Sequence, residues 1–488
     1  MKKPFTLSVR AKHFTILSLL LIIGTFSICT IKKGHNWGDD FALYIKHASN
    51  IVHGDPYGET GSIIHEYAGT YSPQNYPPGF PILLAPVYAF FGLNFIAMKV
   101  YMVLWLVLFL GLIWIYFKDK LYFHWNLIII IIIGLSPFFR EMKESVVSDL
   151  PAGCFILLTL IIDEKRRLAP ERRKYLYLLS IVIWFGAAIR VAGILILPAI
   201  LMYELIKFRK FKKLSWSMAL IVAGLFGLQW LVFPANNYMN IIASPFMHLT
   251  GGEILNGIFD RATNYLSAFS GVTHIAFLTP GNSDLNHLVH WFFHVTAAVG
   301  FYLKVRNKFS PADLFVVFYL LLIFIFPGYQ GTRYLIPVIP FYFFYSMYCL
   351  QKIQFKWISA SAISIVLILL FFIYNDDHNR MPKDESDGVE SQPAQETFQF
   401  LKSETPATSV FMSSKPRAFC LFTERKGVVY PDQYSTYRFF EVLDKYHIDY
   451  IIRGKYDPAF YVNELEENLS DKFAPVFTNS MFTIYRVN

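Results

Sequence analysis

The sequence predicts an α-helical polytopic membrane protein of about eleven transmembrane helices with a small C-terminal α/β domain. Three observations carry that prediction. Of 488 residues, 55% are hydrophobic, against about 45–50% in ordinary globular chains, and 16% are charged where about 25% is usual. Long apolar stretches recur through the first 374 residues, and from residue 375 the composition turns polar. The basic residues gather in alternate connections, as in a chain threaded through a bilayer. The 48 Phe, 30 Tyr and 9 Trp exclude disorder, and four scattered cysteines exclude a disulfide scaffold or a cysteine zinc site.

Apolar stretches predict spans near 13–31, 95–117, 125–136, 150–162, 176–189, 191–206, 214–233, 288–303, 313–327, 334–350 and 358–374. Several are shorter than the ~20 residues that a span requires, so their ends must extend into flanking aromatic and small residues. With a cytoplasmic N-terminus, the connections on that side carry 22 Lys and Arg, and the opposite loops carry eight. The runs Lys165-Arg166-Arg167, Arg172-Arg173-Lys174 and Lys207 to Lys213 settle the alternation. The first span follows Lys2, Lys3, Arg10 and Lys12 without a clear small-x-small cleavage site, and reads as a retained signal anchor. This places the C-terminus outside the cytoplasm.

The net charge of +9 does not argue for nucleic acid, because of where it sits. Residues 375–488 hold 13 Lys and Arg against 18 Asp and Glu, a net of −5, which leaves +14 for the membrane part. The expected domains are 1–374 in the membrane, with outer loops 32–80 and 234–287, a linker at 375–395, and a soluble extracytoplasmic domain at 396–488. In the tail, 396–402 and 436–447 read as helices, and 409–413, 448–453 and 482–487 as strands. It holds no Gly-rich phosphate loop or nucleophile motif, and reads as a lid or partner module.

The first outer loop carries Asp39 and Asp40 at the head of a segment whose apolar residues 41, 44, 45, 48, 51 and 52 follow helical spacing. Lys46, His47 and Asn50 take its other face, and the pattern predicts an interfacial helix on the membrane. The helix dipole stabilises ionised carboxylates at that end, although an ordinary N-cap explains most Asp pairs. The loop closes with Tyr76-Pro-Pro-Gly-Phe-Pro81. Asp149 heads another span on the outer side, and Arg190 and Arg333 stand at outer span ends. Arginines at a bilayer edge commonly snorkel to headgroups. Two of them on the face of the acids point to capture of an anion, since a guanidinium presents a planar fork suited to phosphate.

The set Asp39-Asp40-x-x-x-Tyr44, Tyr76-Pro-Pro-Gly79, Asp149, Arg190 and Arg333-Tyr334-x-x-Pro337 resembles the GT-C membrane glycosyltransferases. Within them it is most similar to family 39, the branch of protein O-mannosyltransferases and aminoarabinose lipid A transferases. The resemblance covers the membrane part, and the tail, with Lys415-Pro-Arg-Ala418 and Asp449-Tyr-Ile-Ile452, is similar to the outer domain of many bacterial members.

The resemblance implies an enzyme of the plasma (bacterial inner) membrane. It would take a hexose or pentose from a polyprenyl-phosphate carrier and give it, with inversion, to a hydroxyl on protein, lipid A or an envelope glycan. The family's general base maps to Asp39. Asp40 stands where Glu is usual, and Tyr76 stands where Lys commonly precedes the prolines. Arg190, Arg333 and Tyr334 become the donor-phosphate residues. Asp149, Tyr44, Tyr76, Arg140 and Lys143 are further candidates. No nucleotide cofactor and no nucleic acid are expected. A divalent metal is left open: His35, His47, His53, His65, Glu66, His248, Glu253 and His274 occupy the long outer loops without a recognisable ligand spacing. Of these, His65, Glu66 and His248 are carried as weak candidates. The alternatives from other classes are a transporter or flippase for a lipid-linked sugar and an inactive membrane scaffold. Transporters tend to place ionisable residues mid-membrane and to show internal repeats, and neither is seen here.

Overall fold

Each long apolar run closes its own backbone hydrogen bonds as a helix, the one open-ended structure a bilayer tolerates. The computed structural model describes residues 8–68, 73–209, 213–233, 250–273, 283–326, 328–353, 386–431, 435–455, 457 and 472–488. Helix α1 (Val9–Cys29) begins where the Ser8 hydroxyl accepts from the Ala11 amide, and it leaves Phe14, Leu17 and Leu21 exposed to lipid. Then come α2 (Asp39–His53), strand β1 (Ser62–Ile63), α3 (Gly79–Phe91), α4 (Phe95–Phe117), α5 (Phe123–Gly134), the short α6 (Pro137–Met142) and α7 (Asp149–Leu168). Helix α8 (Lys174–Ile189) runs through a 3-10 turn at Val191–Leu195 into α9 (Ile196–Phe208) and α10 (Lys213–Val232). The series continues with α11 (Gly251–Ala268), α12 (Ser270–Thr273), α13 (Ser283–Lys308) and α14 (Pro311–Ile325). A 3-10 turn at Thr332–Leu335 leads into α15 (Ile339–Lys352).

Among the described residues, four segments, Val9–Cys29, Phe95–Phe117, Val191–Phe208 and His287–Lys308, are long and apolar enough to cross a membrane. The chain is an integral membrane protein. Ten of the expected spans coincide with helices, and 358–374 lies outside the described residues.

Two readings of the first loop require correction. Helix α3 is absent from the expected spans: Tyr76-Pro-Pro-Gly-Phe-Pro81 reads as a rigid entry into the next apolar segment, and the structure makes a separate helix between it and α4. Gly79, at its head, lies against Ala188 and Ile189 so closely that a Cβ would sit 2.6 Å from their backbone. The next helix, α4, begins with Phe95 against His35 and Phe422. Both ends of α3 therefore sit at one end of the bundle. The second correction concerns α2, which is wedged between other elements rather than lying open on the membrane. Its supposed polar face is buried at His47 and Asn50, because residues 56–59 fold back over it. Asn50 Nδ2 donates to the carbonyls of Pro56 and Glu59, at 3.1 and 2.8 Å.

The tail forms α16 (Gln392–Ser403), β2 (Val410–Ser413), α17 (Pro416–Thr423), β3 (Lys426–Val429), α18 (Thr436–Tyr446), β4 (Tyr450–Gly454), β5 (Phe473–Thr478) and β6 (Phe482–Val487). The sheet order is β1-β3-β2-β4-β6-β5, with β1, β3, β2 and β4 parallel and β6 and β5 antiparallel. Its edge strand β1 comes from the first loop, with Ser62 opposite Gly427. The sheet is thus not confined to 396–488. Nor do the last residues of the expected linker behave as one: Val389 is buried with its N–H on His35 O at 2.8 Å, and the Trp37 indole donates to Asp387 O at 2.7 Å.

Alternation along the strands gives the sheet two apolar faces. Met412, Ile451 and Tyr485 meet Phe439 of α18 on one side. Phe411, Ile452 and Ile484 meet Phe398 of α16 and Phe419 of α17 on the other. Ala418 and Leu421 join the core of the helical bundle, and Phe422, stacked on Phe398, packs against both cores, so α17 is shared by both layers.

Candidate active site

The sheet end of the bundle gathers the charged residues singled out by the sequence. Gly38 caps α2, so Asp39 and Asp40 occupy its first turn rather than the cap, and their carboxylates reach other elements. Asp39, 7% exposed, accepts from the Ala418 N–H at 3.0 Å. That amide is one of the orphan donors at the head of α17, so an acid of the first loop caps a helix of the tail.

Asp40 is more open. Its Oδ2 accepts from Arg333 Nη1 at 2.7 Å and its Oδ1 from the Tyr76 hydroxyl at 2.5 Å. Burial pushes the Asp40 carboxyl up, but the guanidinium groups of Arg333 and Arg417, with the Tyr76 and Arg333 hydrogen bonds, outweigh it and hold it below the usual carboxylate range. Arg333 sits in its 3-10 turn behind Gly331, whose φ of 73° suits glycine.

Asp149 likewise lies inside the first turn of α7, with Ser148 at the cap. It accepts from Arg190 Nη1 at 2.7 Å, and the Arg190 guanidinium lies 4.3 Å from the centre of the Tyr334 ring. Arg190 ends α8 in extended backbone before the 3-10 turn, which frees its side chain to point back over α7. Tyr44 links the two groups. Its ring stacks on Tyr76 at 4.5 Å, and its hydroxyl shares a 2.8 Å hydrogen bond with Ser148.

One residue of this cluster had been given no role from sequence. Arg417 of α17 is almost completely buried, and its Nη1 donates to the Tyr76 hydroxyl at 3.2 Å and its Nη2 to Pro73 O at 2.7 Å. Its nitrogens come within 3.7 Å of Asp40 Oδ1 and 4.0 Å of Asp39 Oδ2. Its guanidinium also lies 5.2 Å from the centre of the Tyr76 ring. Tyr76 stands where a lysine was expected, and a cation reaches it from the tail instead. The one local signal was Lys415-Pro-Arg ahead of a short amphipathic run. The tail, read from sequence as a lid or partner module, therefore reaches the acids directly.

Lys143 and Arg140 are placed elsewhere. Lys143 Nζ donates to Thr30 O at 3.1 Å and pairs with Glu144, which also holds Lys99 at 2.9 Å. This ties the end of α1 to α4, with Arg140 buried one turn before Lys143.

The described metal candidates are engaged in hydrogen bonds or ion pairs within the chain. His65 Nε2 donates to Val429 O at 2.8 Å, and Glu66 pairs with Lys445 at 2.5 Å, fastening the loop to the sheet. His47 donates from Nδ1 to Tyr57 O at 2.8 Å and accepts from the Tyr76 N–H at 3.3 Å. His35 accepts from the Val146 N–H, and His53 lies against Ser49 O. Glu253 caps α11 with Thr250, while His248 and His274 lie outside the described residues. Among the described residues, no group of three His, Cys, Asp or Glu side chains is placed to hold a metal ion.

Compared with solved structures, the chain superposes along nearly its whole length on ArnT from Cupriavidus metallidurans bound to undecaprenyl phosphate. The TM-score is 0.63 at 12% identity, covering 98% of each chain. The fold is that of the GT-C membrane glycosyltransferases. The archaeal oligosaccharyltransferase AglB from Archaeoglobus fulgidus, in complex with an inhibitory peptide and a dolichol-phosphate, gives 0.58 at 13% identity over 93% of this chain and 70% of AglB. The mycobacterial arabinofuranosyltransferase AftD gives 0.51 at 12% over 99% of this chain and 40% of AftD. No family model matches the chain, and no curated protein matches its sequence.

Proposed function

We propose that this chain is a membrane glycosyltransferase. It moves a sugar from a polyprenyl-phosphate carrier to a hydroxyl of protein, lipid A or another envelope glycan, on the non-cytoplasmic side of the plasma membrane and with inversion. The observation that carries the reading is the meeting, on this fold, of two acids with Arg333 on one side and with the Asp149–Arg190–Tyr334 group on the other.

The reaction is a single displacement. The acceptor oxygen bonds to the anomeric carbon, the bond from that carbon to the phosphate oxygen breaks, and polyprenyl phosphate leaves with the electron pair. Negative charge grows on the leaving phosphate, and fixed cations stabilise it most where charge develops. Arg190 and Arg333 supply them. Each guanidinium has five N–H donors, more than one carboxylate can occupy, so a phosphate joins the acid as a second partner. The Tyr334 ring backs both cations.

The acceptor's proton goes to Asp39. A carboxylate whose pKa is lowered is a weaker base, which counts against Asp40, flanked closely by Arg333 and Arg417. Asp39 accepts from the Ala418 amide and stands 4.0 Å from Arg417 Nε, at the head of its helix, in the position that the family resemblance assigns to the base. Asp40 is then the anchor of the cations.

The test is the purified protein in sealed vesicles with a panel of polyprenyl-phosphate sugars and hydroxyl acceptors, followed by mass spectrometry. Transfer predicts consumption of one donor with a mass gain on an acceptor. Movement of an intact donor across the bilayer, with none consumed, would overturn the reading in favour of transport. The orientation has its own check: a reporter fused after Asn375 is active outside the cytoplasm, and one fused after Arg167 is active inside.

A further inference from the structure

We propose that Arg417 is a positioning residue of the transfer site, so that the sheet domain belongs to the catalytic unit; this rests on the function proposed above. Three observations converge on it. Its side chain is 1% exposed, in the narrow space between the first loop and the sheet. The guanidinium spans two acids and a tyrosine: it donates to the Tyr76 hydroxyl, which in turn donates to Asp40, and it holds the Pro73 carbonyl on the segment leading to that tyrosine. The next residue, Ala418, supplies the amide that fixes Asp39.

One turn of α17 therefore sets both carboxylates. The charges agree: Asp39 and Asp40 face Arg333 from the helical bundle and Arg417 from the sheet domain, so the domain supplies one of the cations set against the pair. Taking a cation away from a partly buried acid pair is costly, which couples seating of the sheet to the ionised site. The seat itself has other fastenings. β1 pairs with β3, His65 holds Val429 O, and Lys445 pairs with Glu66. Loss of the Arg417 guanidinium should thus disturb the acids without detaching the domain.

The experiment compares Arg417→Ala, Arg417→Lys and Lys445→Ala with wild type, the last removing an exposed contact between the same two layers. Transfer is measured as kcat and donor KM, and hydrogen exchange is read at residues 39–44 and 73–78. Arg417→Ala is expected to lower kcat by about 10- to 100-fold, as sub-ångström misplacement of reacting groups does. Its donor KM should change less than about threefold, since Arg417 does not touch the donor phosphate in this scheme. Arg417→Lys should recover part of kcat, and Lys445→Ala should match wild type in both. Faster exchange at the two segments should appear in Arg417→Ala alone. Unchanged kcat and exchange in Arg417→Ala, or an equal loss in Lys445→Ala, overturns the proposal. If wild type itself transfers nothing, the reading of the function fails, and the exchange comparison still decides the role of Arg417.

Discussion

The two ends of the helical bundle use the same ingredients, acids and arginines, in opposite ways. At the end away from the sheet, Asp163 is fully buried, accepts from Arg166 and forms an ion pair with Arg167, and Arg166 also reaches Glu204 at 2.9 Å. Lys304 and Asp313 close a second pair at 2.9 Å, with the Tyr345 hydroxyl on the same acid. These networks join neighbouring helices and, Arg167 apart, are shut off from solvent. At the sheet end the pairs cross between distant elements, and beside the buried Arg417–Asp39 contact two of them stay partly open: Arg333 is 30% exposed, Asp40 23% and Arg190 17%. Asp149 and Asp163 lie on the same helix, fourteen residues or roughly 21 Å apart along its axis. A closed network fixes helices, while an open one with unspent donors can receive a charged substrate.

The comparison breaks first at Asp39. Asp39→Asn keeps an acceptor for the Ala418 amide but cannot take a proton, so turnover should fall by roughly 10²–10⁴ with the protein still folded. Asp40→Asn should cost less. Equal, small effects from both would return the pair to a structural role.

Arg166→Ala should give the opposite pattern. It leaves Asp163 and Glu204 buried without their shared partner, a loss of about 3–5 kcal/mol for a severed buried pair. A lowered Tm with kcat retained in the folded fraction supports the distinction between the ends; lost turnover at unchanged Tm contradicts it.

Arg190→Ala and Arg333→Ala should each weaken donor binding by about 2–5 kcal/mol if the phosphate contact is desolvated. Titration with polyprenyl-phosphate sugar would measure it, and unchanged affinity in both variants removes the reason for assigning them.

A smaller effect concerns pH. Burial lowers the His47 imidazole from 6.5 to about 3, so it stays neutral in the folded chain. The unfolded chain takes up that proton first, so the stability is complete above pH 6.5 and drains away as the pH falls toward 3. At pH 5 the loss is about 2 kcal/mol from this group. His47→Gln should flatten the fall in Tm between pH 7 and 5, and a wild-type-like fall would contradict it.

How much of this was legible follows from what each feature depends on. The long helices depend on composition and were readable, as were β2, β4, β6 and α18, whose periodicities are local. The side on which Asp39, Asp40, Asp149, Arg190 and Arg333 gather followed from counting charges. Partners did not. Nothing near Asp39 in the chain announces Ala418, 379 residues away, and a two-residue strand such as β1 has no periodicity to detect. Helix α3 was hidden because its prolines sit at its start and at Pro86, where local rules read a break. Arg417 looked like one basic residue among many until packing buried it.

The most direct measurement is the stereochemistry of the transferred sugar. Wild-type protein in vesicles would be given an isotopically labelled polyprenyl-phosphate sugar of known anomeric configuration with its acceptor, and the product linkage read by NMR. A single displacement with Asp39 as base predicts a product of inverted configuration and release of polyprenyl phosphate in equal amount. A product of retained configuration would contradict the account.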